Sequence, residues 1–167
     1  MQKPSVWNQL LKKRRKQDTG ATKSSYVTSQ PLPVSNAVFP FLVDGSGTPE
    51  AHAAIDLQGP NNQWTTFDFE FDTGAFISIL PASAGALLGV NVQQGVAWNL
   101  SGVDGTPFTI YVHTLVARFH GSTSLWNLQI GFATVETPIL LGRYGFWVTR
   151  QGILLSMTNK ATVFQPG

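Results

Sequence analysis

The stretch FDTGAFISILP at residues 71–81 joins an alternating segment to an apolar one. In FDFEF at 67–71 the aromatic residues alternate with acidic ones, so a strand would turn its rings to one side and its carboxylates to the other. Pro81 and Gly89 bound PASAGALLG, a short segment with helix start and stop signals. The sequence here predicts a strand that leads into the DTGA tetrapeptide at 72–75, followed by an apolar stretch that runs into a short helix.

The tetrapeptide DTGA occurs twice in the chain, at 18–21 and at 72–75. The first copy follows the basic run KKRRK at 12–16 and precedes polar residues, so no apolar strand delivers it to a folded core. We interpret Asp18 as a solvated turn residue in a tail. Only the second copy lies between segments that a folded domain would bury.

The composition is that of one folded domain with a tail. The 167 residues are 43% hydrophobic and 12% charged, with 11 Phe and 5 Trp, which suffices for a core. There is no cysteine, and this excludes disulfides and thiolate sites. Neither an apolar run of membrane-spanning length nor a secretory signal is recognisable, so we expect no membrane span and a cytoplasmic rather than a secreted location.

Charge divides the chain into two parts. Residues 1–25 hold seven basic residues and one acidic residue, a net charge of +6, whereas the rest holds four basic and eight acidic residues, a net charge of −4. We predict a flexible basic arm over 1–36 and a folded domain over 37–167. The run at 12–16 could make weak contact with nucleic acid or an anionic surface.

Most of the folded part has the pattern of strands joined in hairpins. Turn signals separate the strand pairs at 59–62, 121–124 and 158–160. Two short segments look helical, PASAGALLG at 81–89 and RYGFW at 143–147. The predicted fold class is therefore all-β with one or two short helices.

Two motifs together carry a family resemblance. FDTGAFISILP at 71–81 and ILLGRYGFW at 139–147 lie 70 residues apart from Asp72 to Gly142, with the Gly-rich LSGVDGTPF at 100–108 between them. The pair resembles the retropepsin-like aspartic proteases. The resemblance implies a small closed β-barrel domain with a flap hairpin, active as a C2 homodimer on a peptide or polyprotein substrate, with no cofactor and no metal.

The resemblance also implies roles for individual residues. Asp72 would be catalytic, and since peptide hydrolysis of this kind uses two carboxylates about 3 Å apart, the second must come from another copy of the chain. The remaining implied site residues fall in three groups. They are Thr73, Gly74, Ala75 and Ser78 supporting the active-site loop; Leu140, Leu141, Gly142 and Arg143 in the second motif; and Gly102, Val103, Asp104 and Gly105 in the flap.

One position departs from the family pattern. Retroviral members often carry an acidic residue two positions after the glycine of DTG, and it can pair with the arginine of the second motif. This chain has Phe76 there, so Arg143 must find another partner. Phe76 could instead line a substrate subsite.

Two other functions are compatible with parts of the sequence. A small jelly-roll coat protein whose basic arm binds RNA would explain residues 12–16 but not the motif pair. A retropepsin fold that has lost activity and serves as a binding module is the other alternative. A metal site is not predicted, because His113 and His120 point to opposite faces of one strand and His52 is remote in sequence.

Overall fold

The computed structural model describes residues 37–146 and 150–166, and the predicted arm over 1–36 lies outside them. Of the described residues, 54% lie in strands and 8% in helix, so this part of the protein is mostly β. Twelve strands lie in the described residues. They are β1 Ala37–Pro40, β2 Leu42–Val43, β3 Pro49–Glu50, β4 His52–Gln58, β5 Trp64–Phe71, β6 Ser78–Pro81, β7 Val96–Ser101, β8 Pro107–Phe119, β9 Trp126–Ala133, β10 Leu140–Leu141, β11 Arg150–Ser156 and β12 Ala161–Pro166.

The strands form three sheets. A seven-stranded sheet has the order β4-β5-β10-β6-β9-β8-β7, and β4 also pairs with β8. Two of its pairings, β10 with β5 and β6 with β9, are parallel. A three-stranded antiparallel sheet has the order β1-β12-β11, and β2 pairs with β3. The parallel pairings matter for function, because they bring strands that are distant in sequence to the second DTGA.

The three predicted hairpins are present, as β4–β5, β8–β9 and β11–β12. Strand β5 alternates as its sequence predicts. Phe67 and Phe69 are buried, Phe71 packs against the core, and the intervening Asp68 is exposed. Burial of one face of β5 therefore fixes the side from which Asp72 leaves the strand.

One of the two predicted helices forms. Helix α1, Ala82–Leu88, begins after Pro81 and ends at Gly89, whose φ of 70° is left-handed. That conformation lets the Val90 N–H donate to the Gly85 carbonyl at 2.8 Å and close the helix end. The predicted helix at RYGFW is wrong for residues 143–146, which form a bend, a β-bridge and a turn, and Trp147 lies outside the described residues.

Two groups of buried side chains form the core. The larger contains the fully buried rings Phe69, Phe132, Phe146 and Phe164. The smaller contains Ile77, Ile79, Ile110 and Ala133, and side chains of β7 and β8 pack against it. Two members of this second group, Ile77 and Ile79, follow the turn that carries Asp72. No helix among the described residues is long and apolar enough to cross a membrane.

Candidate active site

The second motif supplies a short strand that lies between the two strands flanking Asp72. Strand β10 pairs in parallel with the end of β5, Leu140 opposite Glu70 and Leu141 opposite Phe71. It also pairs antiparallel with β6, Leu140 opposite Ile79. The Asp72 N–H donates to the Leu141 carbonyl at 3.2 Å. The two motifs predicted to act together are thus joined by main-chain pairing at Asp72.

The Asp72 carboxylate is partly exposed and held from one side. Its Oδ1 accepts the Gly74 N–H at 2.7 Å. Within the described part of the chain, Oδ2 accepts no hydrogen bond. A Cβ on Gly74 would lie 3.1 Å from Asp72 Oδ1, so any larger residue there would press on the carboxylate. The arrangement fixes the carboxylate and leaves one oxygen available.

A buried hydroxyl ties the second motif to the strand after the turn. Ser78 is fully buried, and its Oγ accepts the Gly142 N–H at 3.1 Å. A Cβ on Gly142 would overlap the Ile77 carbonyl group and lie 2.8 Å from the Ser78 nitrogen. Only glycine allows the backbones of the two motifs to approach this closely.

The rest of the turn pairs with the residues after Gly142. The Arg143 N–H donates to the Ala75 carbonyl at 3.1 Å, and the Tyr144 N–H donates to the Phe76 carbonyl at 2.6 Å. Thr73 is exposed at the tip of the turn. The Arg143 side chain is exposed and forms no ion pair with the residues that the structure describes. Phe76 stacks on Tyr144, with ring centroids 5.2 Å apart, where the family pattern has an acidic residue beside the arginine.

The Gly-rich segment between the motifs is the turn of the β7–β8 hairpin. The Gly102 N–H donates to the Thr106 carbonyl, and Gly105 adopts a left-handed φ of 80°. Asp104 accepts from the N–H and the hydroxyl of Thr106, both at 2.9 Å, and these bonds lower the pKa of its carboxyl. Val103 is 99% exposed. This hairpin is the segment predicted to be a flap, and its role as a flap stays a prediction.

Acidic side chains lie near the end of β5, the strand that leads to Asp72. Burial raises the pKa of Glu70, and the nearby charges of Glu50 and Asp72 raise it further, against a lowering by His52. His52 Nε2 lies 3.3 Å from Glu50 Oε2. Negative charge is therefore concentrated at this end of β5, in addition to Asp72 itself.

Asp56, on β4, is a buried carboxylate with an environment unlike that of Asp72, and the sequence did not reveal it. It is 2% exposed and accepts hydrogen bonds from Thr66 Oγ1 at 2.7 Å, Arg118 Nε at 2.9 Å and His120 Nδ1 at 2.9 Å. Burial acts to raise its pKa, but these bonds together lower it. The Arg118 guanidinium lies 4.2 Å from the Trp64 ring centroid. These partners are 10 to 64 positions away in sequence, so no local signal identifies the cluster.

The histidines lie in separate settings. His113 Nε2 is 2.9 Å from the Val92 carbonyl oxygen, and His120 contacts Asp56. Over residues 37–146 and 150–166, no group of three or more His, Cys, Asp or Glu side chains is placed to hold a metal ion.

Comparison with solved structures identifies the fold. The chain is similar to a retropepsin-like aspartic protease from Rickettsia conorii, with a TM-score of 0.51 and 16% sequence identity over 76% of this chain and 98% of that chain. No family model matches the sequence. No curated protein matches it either. The described strands therefore have a retropepsin-like fold, and the predicted resemblance is confirmed at the level of the fold.

Proposed function

We propose that the chain is an aspartic endopeptidase in which Asp72 and its symmetry mate form the catalytic dyad of a C2 homodimer. The observation that carries this proposal is the pairing of β10 with both β5 and β6 at Asp72. It fixes the backbone at Asp72, and the Gly74 N–H holds one carboxylate oxygen while the other stays available. The same-fold protease from Rickettsia conorii supports the general kind of activity.

The chemistry follows from placing two such carboxylates together. Like charges about 3 Å apart cannot both stay ionised, so the pair shares one proton. The ionised member takes a proton from a water molecule, whose oxygen bonds to the scissile carbonyl carbon while the protonated member polarises the carbonyl oxygen. The C–N bond then breaks as the amine nitrogen receives a proton from the dyad. General acid–base help of this kind contributes about 10²–10⁴-fold.

The surrounding residues have supporting roles in this proposal. Thr73, exposed on the turn, would contact the partner's turn across the two-fold axis. The second motif, with Leu140, Leu141 and Gly142, would pack against the active-site loop. The hydrogen bond from the Gly142 N–H to Ser78 Oγ would hold Gly142 in position. The hairpin with Gly102, Val103, Asp104 and Gly105 at its tip would close over an extended peptide and exclude water.

We include in the same proposal that the domain is a small closed β-barrel. A small closed barrel is supported by the pairing of β4 with both β5 and β8, which links the strands of the large sheet in a circuit. The domain division at residues 36 and 37, the homodimer and any contact of the 12–16 run with nucleic acid are likewise proposals.

The test is cleavage of a diverse peptide mixture by the full chain between pH 4 and 7. We expect cuts by the unaltered chain and none by Asp72→Asn. Two matched controls carry the same substitution: Asp18→Asn, in the other DTGA copy, and Asp68→Asn, exposed on β5. Both should retain the activity. Equal cleavage by the unaltered chain and Asp72→Asn would refute the proposed chemistry.

A mixing experiment tests the shared dyad. Adding an equal amount of Asp72→Asn to the unaltered chain should reduce its activity to about half if subunits exchange and mixed dimers are inactive. Unchanged activity at full exchange would contradict a dyad shared between chains. An uncleaved mixture that still binds peptides would favour the inactive binding module, and large shells with salt-sensitive RNA binding would favour the coat protein.

A further inference from the structure

Three aromatic rings from distant parts of the chain meet beside the active-site loop. Phe76, Trp98 and Tyr144, here called the aromatic cluster, have ring centroids 5.2 Å, 6.0 Å and 6.4 Å apart in their three pairs. The Phe76 and Tyr144 rings are nearly parallel, at 20°. Such offset arrangements are favourable for aromatic pairs, so the cluster is one packed unit.

Backbone pairing fixes the position of each ring. The Tyr144 N–H donates to the Phe76 carbonyl, and Tyr144 forms a parallel bridge with Ile77. Trp98 lies on β7 opposite the buried Ile110, and it packs against the smaller core group. Two members are therefore fixed to the active-site loop and the third to the stem of the flap hairpin.

The cluster is packed on one side and open on the other. Phe76 is 50% exposed and Tyr144 is 42% exposed, although a main-chain hydrogen bond joins the two residues. Single exposed apolar residues are common on protein surfaces, but contiguous ones mark places where something binds. Two half-exposed rings in mutual contact are such a place.

The three segments that meet here decide what binds. Phe76 is four residues past Asp72, and Tyr144 lies in the second motif, directly after Arg143. Trp98 is four residues before Gly102, where the tip of the flap hairpin begins. In the proposed enzyme the turn with Asp72, the second motif and the flap hairpin would all contact the peptide, so the meeting of these three segments favours a peptide side chain as the occupant. A peptide bound as an extra strand presents alternate side chains to one wall of such a cleft.

We infer that the aromatic cluster is a specificity subsite for a large apolar or aromatic side chain of the substrate peptide, at one position away from the cleaved bond. The inference rests on the proposed function for the chemistry at Asp72, but recognition of the peptide side chain is independent of the cleavage step. We place the position away from the scissile bond because Phe76 is four residues past Asp72, beyond the hydrogen bond from the Arg143 N–H to the Ala75 carbonyl.

The experiment profiles a peptide library in which each position in turn holds Phe, Leu, Ala or Asp. The unaltered chain should prefer Phe or Leu over Ala at one position by about tenfold or more. Phe76→Ala and Tyr144→Ala should each flatten the preference at that position alone, and Tyr144→Phe should retain it. Leu125→Ala, 59% exposed in the β8–β9 connection, is the matched control. Melting curves check that each variant folds.

A second readout separates this inference from the proposed activity. The same peptides are titrated against Asp72→Asn, which should bind without cutting, and the Phe-bearing peptide should bind more tightly than its Ala counterpart only while Phe76 is present. Binding with this preference but no cleavage by the unaltered chain would overturn the protease and uphold the subsite. Cleavage with no positional effect of Phe76→Ala would overturn the subsite and uphold the protease. Dimer loss in Phe76→Ala with an unchanged profile would assign the cluster to a subunit interface and overturn the subsite.

Discussion

Asp72 and Asp56 are both carboxylates on or next to neighbouring strands, but their surroundings differ completely. Asp56 is buried and receives hydrogen bonds from Thr66, Arg118 and His120. Asp72 is partly exposed, and its described side-chain bond is the one from Gly74. A buried carboxylate that accepts three hydrogen bonds, one of them from a guanidinium, stays charged and holds structure together. One with a rigid backbone and a spare oxygen can take part in chemistry.

The sharpest test of the comparison is to neutralise each carboxylate in turn. Asp72→Asn should lower peptide cleavage by about 10³-fold or more, because the dyad loses its base, with little change in the melting temperature. Asp56→Asn should lower the melting temperature and leave the cleavage rate per folded molecule nearly unchanged. Cleavage rates per folded molecule and thermal melts on both variants provide the measurement. A large stability loss in Asp72→Asn would assign Asp72 a structural role instead.

The stability of the protein should be highly sensitive to side-chain size at Gly142, where the second motif contacts the strand after Asp72. Gly142→Ala places a methyl group against the Ile77 and Ser78 backbone, and we expect a loss of about 3 kcal/mol in the free energy of unfolding. Denaturant titration measures it. Gly105→Ala, with open space around its Cβ, tests strain at a left-handed φ alone and should cost less. Equal losses would mean that crowding at Gly142 is unimportant.

The network around Asp56 should contribute measurably to stability. Asp56→Asn removes the charge and faces an amide group toward donors, so we expect a loss of about 2 kcal/mol at pH 7. The value is modest for a buried carboxylate because the His120 side chain is 63% exposed. Urea unfolding of Asp56→Asn, with exposed Asp68→Asn as control, tests this. Equal stability of the two variants would contradict the structural role.

The same network predicts an acid dependence. Because folding lowers the pKa of Asp56, its contribution is present above the ordinary Asp pKa of about 4 and is lost as the pH falls through the lower folded value. The free energy of unfolding of the unaltered chain should therefore decline below about pH 4. In Asp56→Asn this decline should be shallower. Parallel pH profiles of the two would show that Asp56 does not contribute to it.

The smallest expected effect concerns Glu70. Folding raises its pKa through burial and the charges of Glu50 and Asp72, so its contribution is present below the ordinary Glu pKa and lost as the pH rises through the raised folded value. Glu70→Gln should thus stabilise the protein at pH 7 by less than about 1 kcal/mol and change nothing near pH 4. Melting curves at both pH values measure the difference, and destabilisation at pH 7 would contradict it.

Local sequence patterns predicted much of the fold. Alternation in β5 predicted its buried face, turn residues predicted three hairpins, and Pro81 with Gly89 predicted helix α1. The RYGFW segment shows the limit. Its described residues pair with the active-site loop through the Tyr144–Phe76 bond, and this non-local pairing overrides a weak local helix preference.

The all-β class, the strand that leads to Asp72 and the pairing of the two motifs could be predicted from the sequence, because each shows in neighbouring residues or in a recognisable spacing. Three features emerge from the folded chain alone: Asp56 accepts three hydrogen bonds from distant residues, crowding requires glycine at position 142, and Phe76, Trp98 and Tyr144 form one cluster. These features depend on which side chains the sheet brings together from positions tens of residues apart. Such contacts leave no periodic trace in the chain, since they follow from strand order and register rather than from local preference.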